Sequence, residues 1–338
     1  MENIIQMFVK REKLSFALYE RFFLFFLLFV VSGARSVPLA ELKGPNNRPI
    51  IGILSQEITE DSIKNNFPNY TSYIAASYVK YLEGAGARVV PIMINQRDEY
   101  YDNIVNSVNG VLYPGGGVDL KDSGYGRAGQ LIYNLATHLN TVGDYFPVWG
   151  TCLGFEMLTF IATGKRILTD CSANNEALPL KFSDGYQESK LFQNAPEEIL
   201  SLLQTKPITA NFHHFCLTEK NFVSSGLGEQ YNMMSLSTDY SNESFVSAME
   251  SKTLPIYGVQ FHPEKNSYEW NINSTGIPHS AEATRVGQYF AEFFVNEARK
   301  SGHSFPSPEE EARALIYNYE AFPTGFIGAA FDQCYLFN

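Results

Sequence analysis

Residues 145–162 read YFPVWGTCLGFEMLTFIA, and this stretch decides the fold. Tyr145 to Gly150 is a short apolar run, the mark of a strand buried on both faces. Leu153 to Ala162 has the length and apolar content of a helix. Between them lies Gly150-Thr151-Cys152-Leu153-Gly154. A strand that turns this sharply into a helix leaves no room for flanking side chains, and glycine stands on both sides. The pattern is the cysteine counterpart of the G-x-S-x-G nucleophile elbow. Its cysteine projects from the carboxyl end of a strand at a helix start, where free N–H groups and the helix dipole favour a thiolate. The N–H of Leu153 can then face a developing oxyanion. The competing reading is a buried structural cysteine, the commonest fate of a free thiol.

Further out, Pro49–Leu54, Ala87–Ile94 and Gly110–Tyr113 read as buried strands. Tyr73–Gly84, Asp98–Val108 and Gly126–Leu139 read as helices between them. Strands alternating with helices predict an α/β fold, a mostly parallel central sheet flanked by helices. Residues 167–192 read as loop-rich with short strand candidates. Phe245–Met249 and Ile256–Phe261 are β-like, and Ala281–Arg299 is a strongly amphipathic helix. Ser307-Pro308 before Glu309, Glu310 and Glu311 is a helix start: N-cap, proline at the first position, acids at the positive dipole end.

A nucleophilic thiol needs a base, and the base an orienting group. Of six histidines, His262 ends the strand-like Ile256–Phe261 and precedes Pro263 and Glu264. Proline fixes the backbone there, so Glu264 can turn back to hold the imidazole tautomer. The bland alternative is a surface His-Pro turn. Pro114-Gly115-Gly116-Gly117 follows another strand and can bare N–H groups, Gly116 being the expected second oxyanion donor. Alone, a glycine run is only a flexible turn. Three strand-end motifs converge on one edge of a parallel sheet, where such folds place their sites.

The chain has 338 residues, 45% hydrophobic and 18% charged, which suits a globular fold and excludes a disordered one. Its formal charge of −11 excludes a globally basic nucleic-acid binder. Phe22–Val31 (FFLFFLLFVV) follows Lys10, Arg11, Lys13 and Arg21 and precedes the small residues Ser32, Gly33 and Ala34. That order predicts a secretory signal peptide over residues 1–34; a spanning helix needs about twice this apolar length. Cleavage there removes four basic and three acidic residues, leaving a charge of −12. Residues 35–338 then form one enzyme domain, with no linker, repeat or further membrane-length run. Export gives meaning to three N-x-S/T sequons, at Asn69, Asn242 and Asn273. Four cysteines are too few for a disulfide scaffold. Cys171, Cys216 and Cys334 remain beside Cys152, and an odd number leaves one unpaired; no pairing is assigned.

The order P-G-G, G-x-C-x-G, Q-F-H-P-E resembles the class I glutamine amidotransferases, and one branch more closely: the γ-glutamyl hydrolases, folylpolyglutamate hydrolases of lysosomes and secretions. The resemblance runs through YIAASYVK (73–80), DYFPVWGTCLGF (144–155), TANFH (209–213), GVQFHPEK (258–265) and AEFFVNEAR (291–299). It implies the amidotransferase-like α/β fold, Cys152 as nucleophile, His262 as base and proton donor, and Glu264 as orienter. It also implies that His213 lies in the substrate site. It implies hydrolysis of folylpoly-γ-glutamates and related poly-γ-glutamates through a thioester, a secreted or lysosomal location, and a homodimer. No cofactor, metal, nucleic acid or mature-chain membrane contact is implied. Synthase-type relatives usually carry glutamine where Glu156 stands here, and export with no synthase domain attached favours hydrolysis over ammonia transfer. Two alternatives stay open: a glutaminase or amidotransferase subunit, and a secreted binding protein with a dead site. A papain-like protease is disfavoured, because its cysteine sits near the mature N-terminus in a different signature.

Overall fold

The computed structural model describes residues 44–338. The segment read as a signal peptide lies outside the described residues. Strands run in chain order as β1 (Ile50–Leu54), β2 (Gln56–Glu57), β3 (Ser72–Ala75), β4 (Arg88–Ile92), β5 (Val111–Tyr113), β6 (Val148–Thr151) and β7 (Thr169–Leu178). They continue as β8 (Lys181–Phe182), β9 (Thr209–Cys216), β10 (Tyr231–Thr238), β11 (Ser244–Ser251), β12 (Ile256–Val259), β13 (Ala321–Pro323) and β14 (Gln333–Phe337).

The main sheet has the order β4-β1-β5-β6-β12-β11-β10-β8. Its first five strands are mutually parallel. The last three continue it antiparallel. This is the expected α/β architecture. The parallel strands are buried on both faces, as IIGIL in β1 shows. Their alternate residues feed two cores, because successive side chains point to opposite faces. Ile51, Ile53, Leu112 and Trp149 enter one core, with the helix Ala281–Ala298. Ile50, Leu54, Tyr113 and Val148 enter the other, with the helices Gly124–Thr141 and Leu153–Thr163. Trp149 anchors the first core against Phe290, Phe293 and Phe294, its indole N–H donating to Thr151 Oγ1 at 2.9 Å. Ser307 caps the helix Pro308–Ala314 as its sequence predicts, accepting from Glu310 N–H.

Two segments differ from their sequence reading. Residues 73–84 are not helical throughout: Ser72–Ala75 form strand β3, and the helix is Ala76–Gly84. β3 lies between β2 and β14 in a small sheet β13-β14-β3-β2. Its partner β14 is over two hundred residues away, and a short apolar run fits either period, so tertiary pairing decides. The stretch read as loop-rich holds the ten-residue β7, TDCSANNEAL, paired antiparallel with β9. Its polar composition hides it. The disulfide Cys171–Cys216 joins the two strands. Cys152 and Cys334 are free and buried, so the bridge leaves the expected nucleophile as a thiol. Among the described residues, no helix is long and apolar enough to cross a membrane.

Candidate active site

β5, β6 and β12 are neighbours in the parallel part of the sheet, and their carboxyl ends deliver the three predicted motifs to one place. Cys152 follows β6 directly and starts the helix Leu153–Thr163. Its φ is +52° and its ψ −106°, a left-handed-side conformation that a non-glycine residue adopts only when its surroundings impose it. The flanking glycines make room for it. A Cβ on Gly150 would stand 2.5 Å from Gly154 O, and one on Gly154 would stand 2.1 Å from Tyr113 O. Cys152 N–H donates to Val259 O at 2.9 Å, tying the elbow to β12.

His262 follows the end of β12, and its backbone N–H donates to Ala210 O of β9 at 2.8 Å. Its Nδ1 lies 2.7 Å from Glu264 Oε1, and Glu264 is wholly buried. The imidazole Nδ1–H therefore donates to the carboxylate, which leaves Nε2 free to act. Gly115 sits between base and nucleophile: a Cβ there would lie 2.6 Å from His262 Cε1 and 3.2 Å from Cys152 Cβ. The glycine run is thus a spacing device as well as a turn.

Burial dominates the electrostatics. It pushes the Cys152 thiol far up, and the Glu156 and Glu264 carboxylates add to this, while Leu153 N–H opposes it. Burial also lowers His262 against the pull of Glu264. Both shifts favour neutral thiol and neutral imidazole over the ion pair. The thiolate expected from the helix dipole alone is outweighed by desolvation.

Leu153 and Gly116 line the same cavity of about 540 Å³ as Cys152, as do Glu156, His213 and His214. Gly115 N–H is already used, donating to Tyr78 Oη at 2.8 Å. The N–H groups of Gly116 and Gly117 make no such bond among the described residues, so both stay free at this strand end. A Cβ on Gly116 would fall 1.6 Å from Gln56 Oε1, so any side chain there displaces the Gln56 amide. His213 is buried at the cavity wall. Its Nδ1 lies 3.0 Å from Phe215 O, and Nε2 lies 3.2 Å from Asn211 Oδ1. Burial first, and His262 second, push it down to about 3, so it is neutral. Its Nδ1 is 3.6 Å from each sulfur of the Cys171–Cys216 bridge. Asn69, Asn242 and Asn273 are all exposed, and none of them lines this cavity.

The sequence missed Tyr78 and Gln56. Tyr78 Oη lies 3.2 Å from His262 Nδ1 and accepts from Gly115. Burial, and then the Glu264 charge, push its phenol well up, so it stays neutral. Gln56 Nε2 donates to Gly115 O at 2.7 Å. Each is brought in by tertiary structure, and neither residue type signals the role. Glu156, noted for its identity, is a buried carboxyl raised to about 7 by desolvation, against a hydrogen bond from Gln260.

The sequence matches the peptidase C26 family over residues 49–264. The chain belongs to that family. The γ-glutamyl hydrolase of Homo sapiens is 46% identical over 311 residues, covering 91% of this chain and 96% of that protein. γ-Glutamyl hydrolase B of Dictyostelium discoideum is 41% identical over 320 residues, covering 94% and 89%. A solved glutamine amidotransferase from Thermotoga maritima superposes with a TM-score of 0.40 at 11% identity, over 75% of this chain and 99% of that one. The C26 match spans all three motif-bearing strand ends, from β1 through Glu264.

Proposed function

We propose that this C26 peptidase is a γ-glutamyl hydrolase that cleaves folylpoly-γ-glutamates and related poly-γ-glutamates, with Cys152 as nucleophile. The reading rests on the elbow cysteine at φ +52°, set against the buried His262–Glu264 pair, in a chain 46% identical to a γ-glutamyl hydrolase.

His262 Nε2 takes the thiol proton as sulfur attacks the side-chain carbonyl carbon of the γ-linked glutamyl residue. Glu264 stabilises the imidazolium that forms. The N–H groups of Leu153 and Gly116 receive the oxyanion. The tetrahedral species collapses, the C–N bond breaks, and His262 passes its proton to the leaving amine. His262 then deprotonates water, which attacks the thioester and releases the carboxylate and the thiol. Because burial disfavours both charged forms, the proton moves from sulfur to Nε2 as the S–C bond forms, with no free thiolate beforehand.

Product analysis on a pteroyl-pentaglutamate decides the reading. The wild-type protein shortens the γ-linked chain, and a folded Cys152→Ala protein does not. Near wild-type turnover by that variant overturns the assignment. Preferential hydrolysis of free glutamine would point to a glutaminase, and the buried Glu156 already disfavours one.

The same proposal places the mature protein in the secreted or lysosomal compartment after removal of residues 1–34, as a homodimer glycosylated at Asn69, Asn242 and Asn273. Exposure of all three asparagines supports glycan access. Amino-terminal sequencing of the exported protein, its mass in solution, and its mobility after glycan removal test these points.

A further inference from the structure

The cavity that holds Cys152 opens beside a cation whose charge the catalytic machinery does not use. Arg166 lies in the turn after the helix Leu153–Thr163, which ends at Gly164 in the left-handed conformation. That turn is fixed by Asn221 Nδ2 donating to Ile167 O at 2.8 Å. Arg166 is exposed, lines the cavity, and lays its guanidinium over the Phe215 ring, 4.5 Å from the centroid. That cation–π contact steadies the group, and its N–H groups make no hydrogen bond among the described residues. Among the described residues, Arg166 enters no salt bridge. The platform is rigid: Phe215 pairs with Asp170 across β7 and β9, next to the Cys171–Cys216 bridge.

Lys121 is the other fixed cation of this cavity, but Asp119 and Asp122 flank it there. Asp119 Oδ1 is turned to its own loop, accepting from Lys121 N–H at 2.8 Å and Asp122 N–H at 2.7 Å. The Asp119 charge faces Arg166 as well as Lys121, Arg166 the more strongly, and Glu156 also lies within reach of Arg166. Neither carboxylate forms a salt bridge with Arg166 among the described residues, so its N–H groups stay open to an anion entering the cavity, in a protein whose formal charge is −11. A poly-γ-glutamyl chain carries one free α-carboxylate per residue, and a planar guanidinium fork matches a carboxylate in two parallel hydrogen bonds.

We propose that Arg166, set over Phe215 at the mouth of the Cys152 cavity, binds the α-carboxylate of a γ-glutamyl residue flanking the scissile bond, and so selects polyanionic chains over singly charged γ-glutamyl amides. This rests on the reading of Cys152 as the nucleophile of a γ-glutamyl hydrolase.

The test compares two ligands on the full-length protein: a γ-linked triglutamate, and the same chain with the α-carboxylates flanking the scissile glutamyl residue converted to amides. Arg166→Glu raises KM for the free-carboxylate chain about tenfold or more with kcat within about twofold, and leaves KM for the amidated chain within about twofold. Arg166→Lys falls between. Calorimetric binding of both ligands to Cys152→Ala protein, with and without Arg166→Glu, reads the same preference without turnover. Equal effects on both ligands, or none on either, overturn the subsite. Absence of turnover by the wild-type protein overturns the hydrolase reading instead, and the binding comparison then still decides the role of Arg166.

Discussion

Glu264 acts through His262. With its carboxylate 2.7 Å from Nδ1, it sets which ring nitrogen carries the proton and stabilises the cation that forms. Glu264→Gln keeps the volume and lets the tautomer invert, so kcat falls about 10²–10⁴-fold with the fold intact; steady-state kinetics beside a circular-dichroism melt checks this. Gly116→Ala strikes a different part. Its new Cβ meets Gln56, the residue that holds Gly115 O, and the oxyanion donor shifts with the loop. A loss of roughly 10²-fold in kcat, with the thiol still accessible to a small alkylating agent, is expected. Glu156 makes a pH prediction. Burial raises it to about 7 in the folded protein, above an unfolded value near that of a free glutamate, so the folded state holds the proton more tightly. The stability this gives is complete below about pH 4.5 and is lost as pH rises through about 7, by on the order of 3 kcal/mol. Thermal melts of the wild type against Glu156→Gln should show the variant falling less between pH 5 and pH 8; parallel curves would sink the account.

At the level of single elements, β9 supplies Phe212, His213, His214 and Phe215 to the cavity wall, and the disulfide between Cys171 and Cys216 ties it covalently to β7, 45 residues apart in sequence. β7 is rich in polar residues and buries only Ala173, Glu176 and Leu178, too little to make a core by itself. Closing the loop in the unfolded chain stabilises the fold by about 2–4 kcal/mol. The Cys171→Ala/Cys216→Ala protein should unfold at correspondingly lower denaturant, and its KM should rise more than its kcat falls, because His213 and Phe215 lie on β9 whereas Cys152 does not. Denaturant titration and steady-state kinetics check both parts. The elbow is legible from its sequence because its constraint is local: glycine at 150 and 154 is required by atoms within the turn and in the adjoining strand. β7 is not legible, since a strand of this composition exists only through its partner.

Across the whole molecule, the chain's last strand supports its first site residues. β14 pairs with β3, Leu336 opposite Tyr73 and Cys334 opposite Ala75, and β3 runs straight into the helix that carries Tyr78. β2, on the far side of β3, carries Gln56. Leu336 and Phe337 are buried, and such side chains contribute about 1.5–3 kcal/mol each. Deleting residues 333–338 should cost on the order of 5 kcal/mol and lower activity beyond the loss of folded protein, as judged by active-site titration with a thiol-directed γ-glutamyl electrophile. An unchanged melting temperature would refute this coupling.

The α/β class, the elbow with Cys152, the His262–Glu264 pair and the glycine loop with Gly116 can all be read along the chain, because each rests on contacts within a few residues or on an alternation of strand and helix. What those motifs meet depends on folding. Packing brought Tyr78 and Gln56 to Gly115, paired Cys171 with Cys216, turned residues 72–75 into a strand, and set a guanidinium over Phe215. It also works against the thiolate expected of the nucleophile. A helix start favours a thiolate locally, but the desolvation that outweighs it comes from both cores and the neighbouring strands, none of which a local stretch of sequence contains.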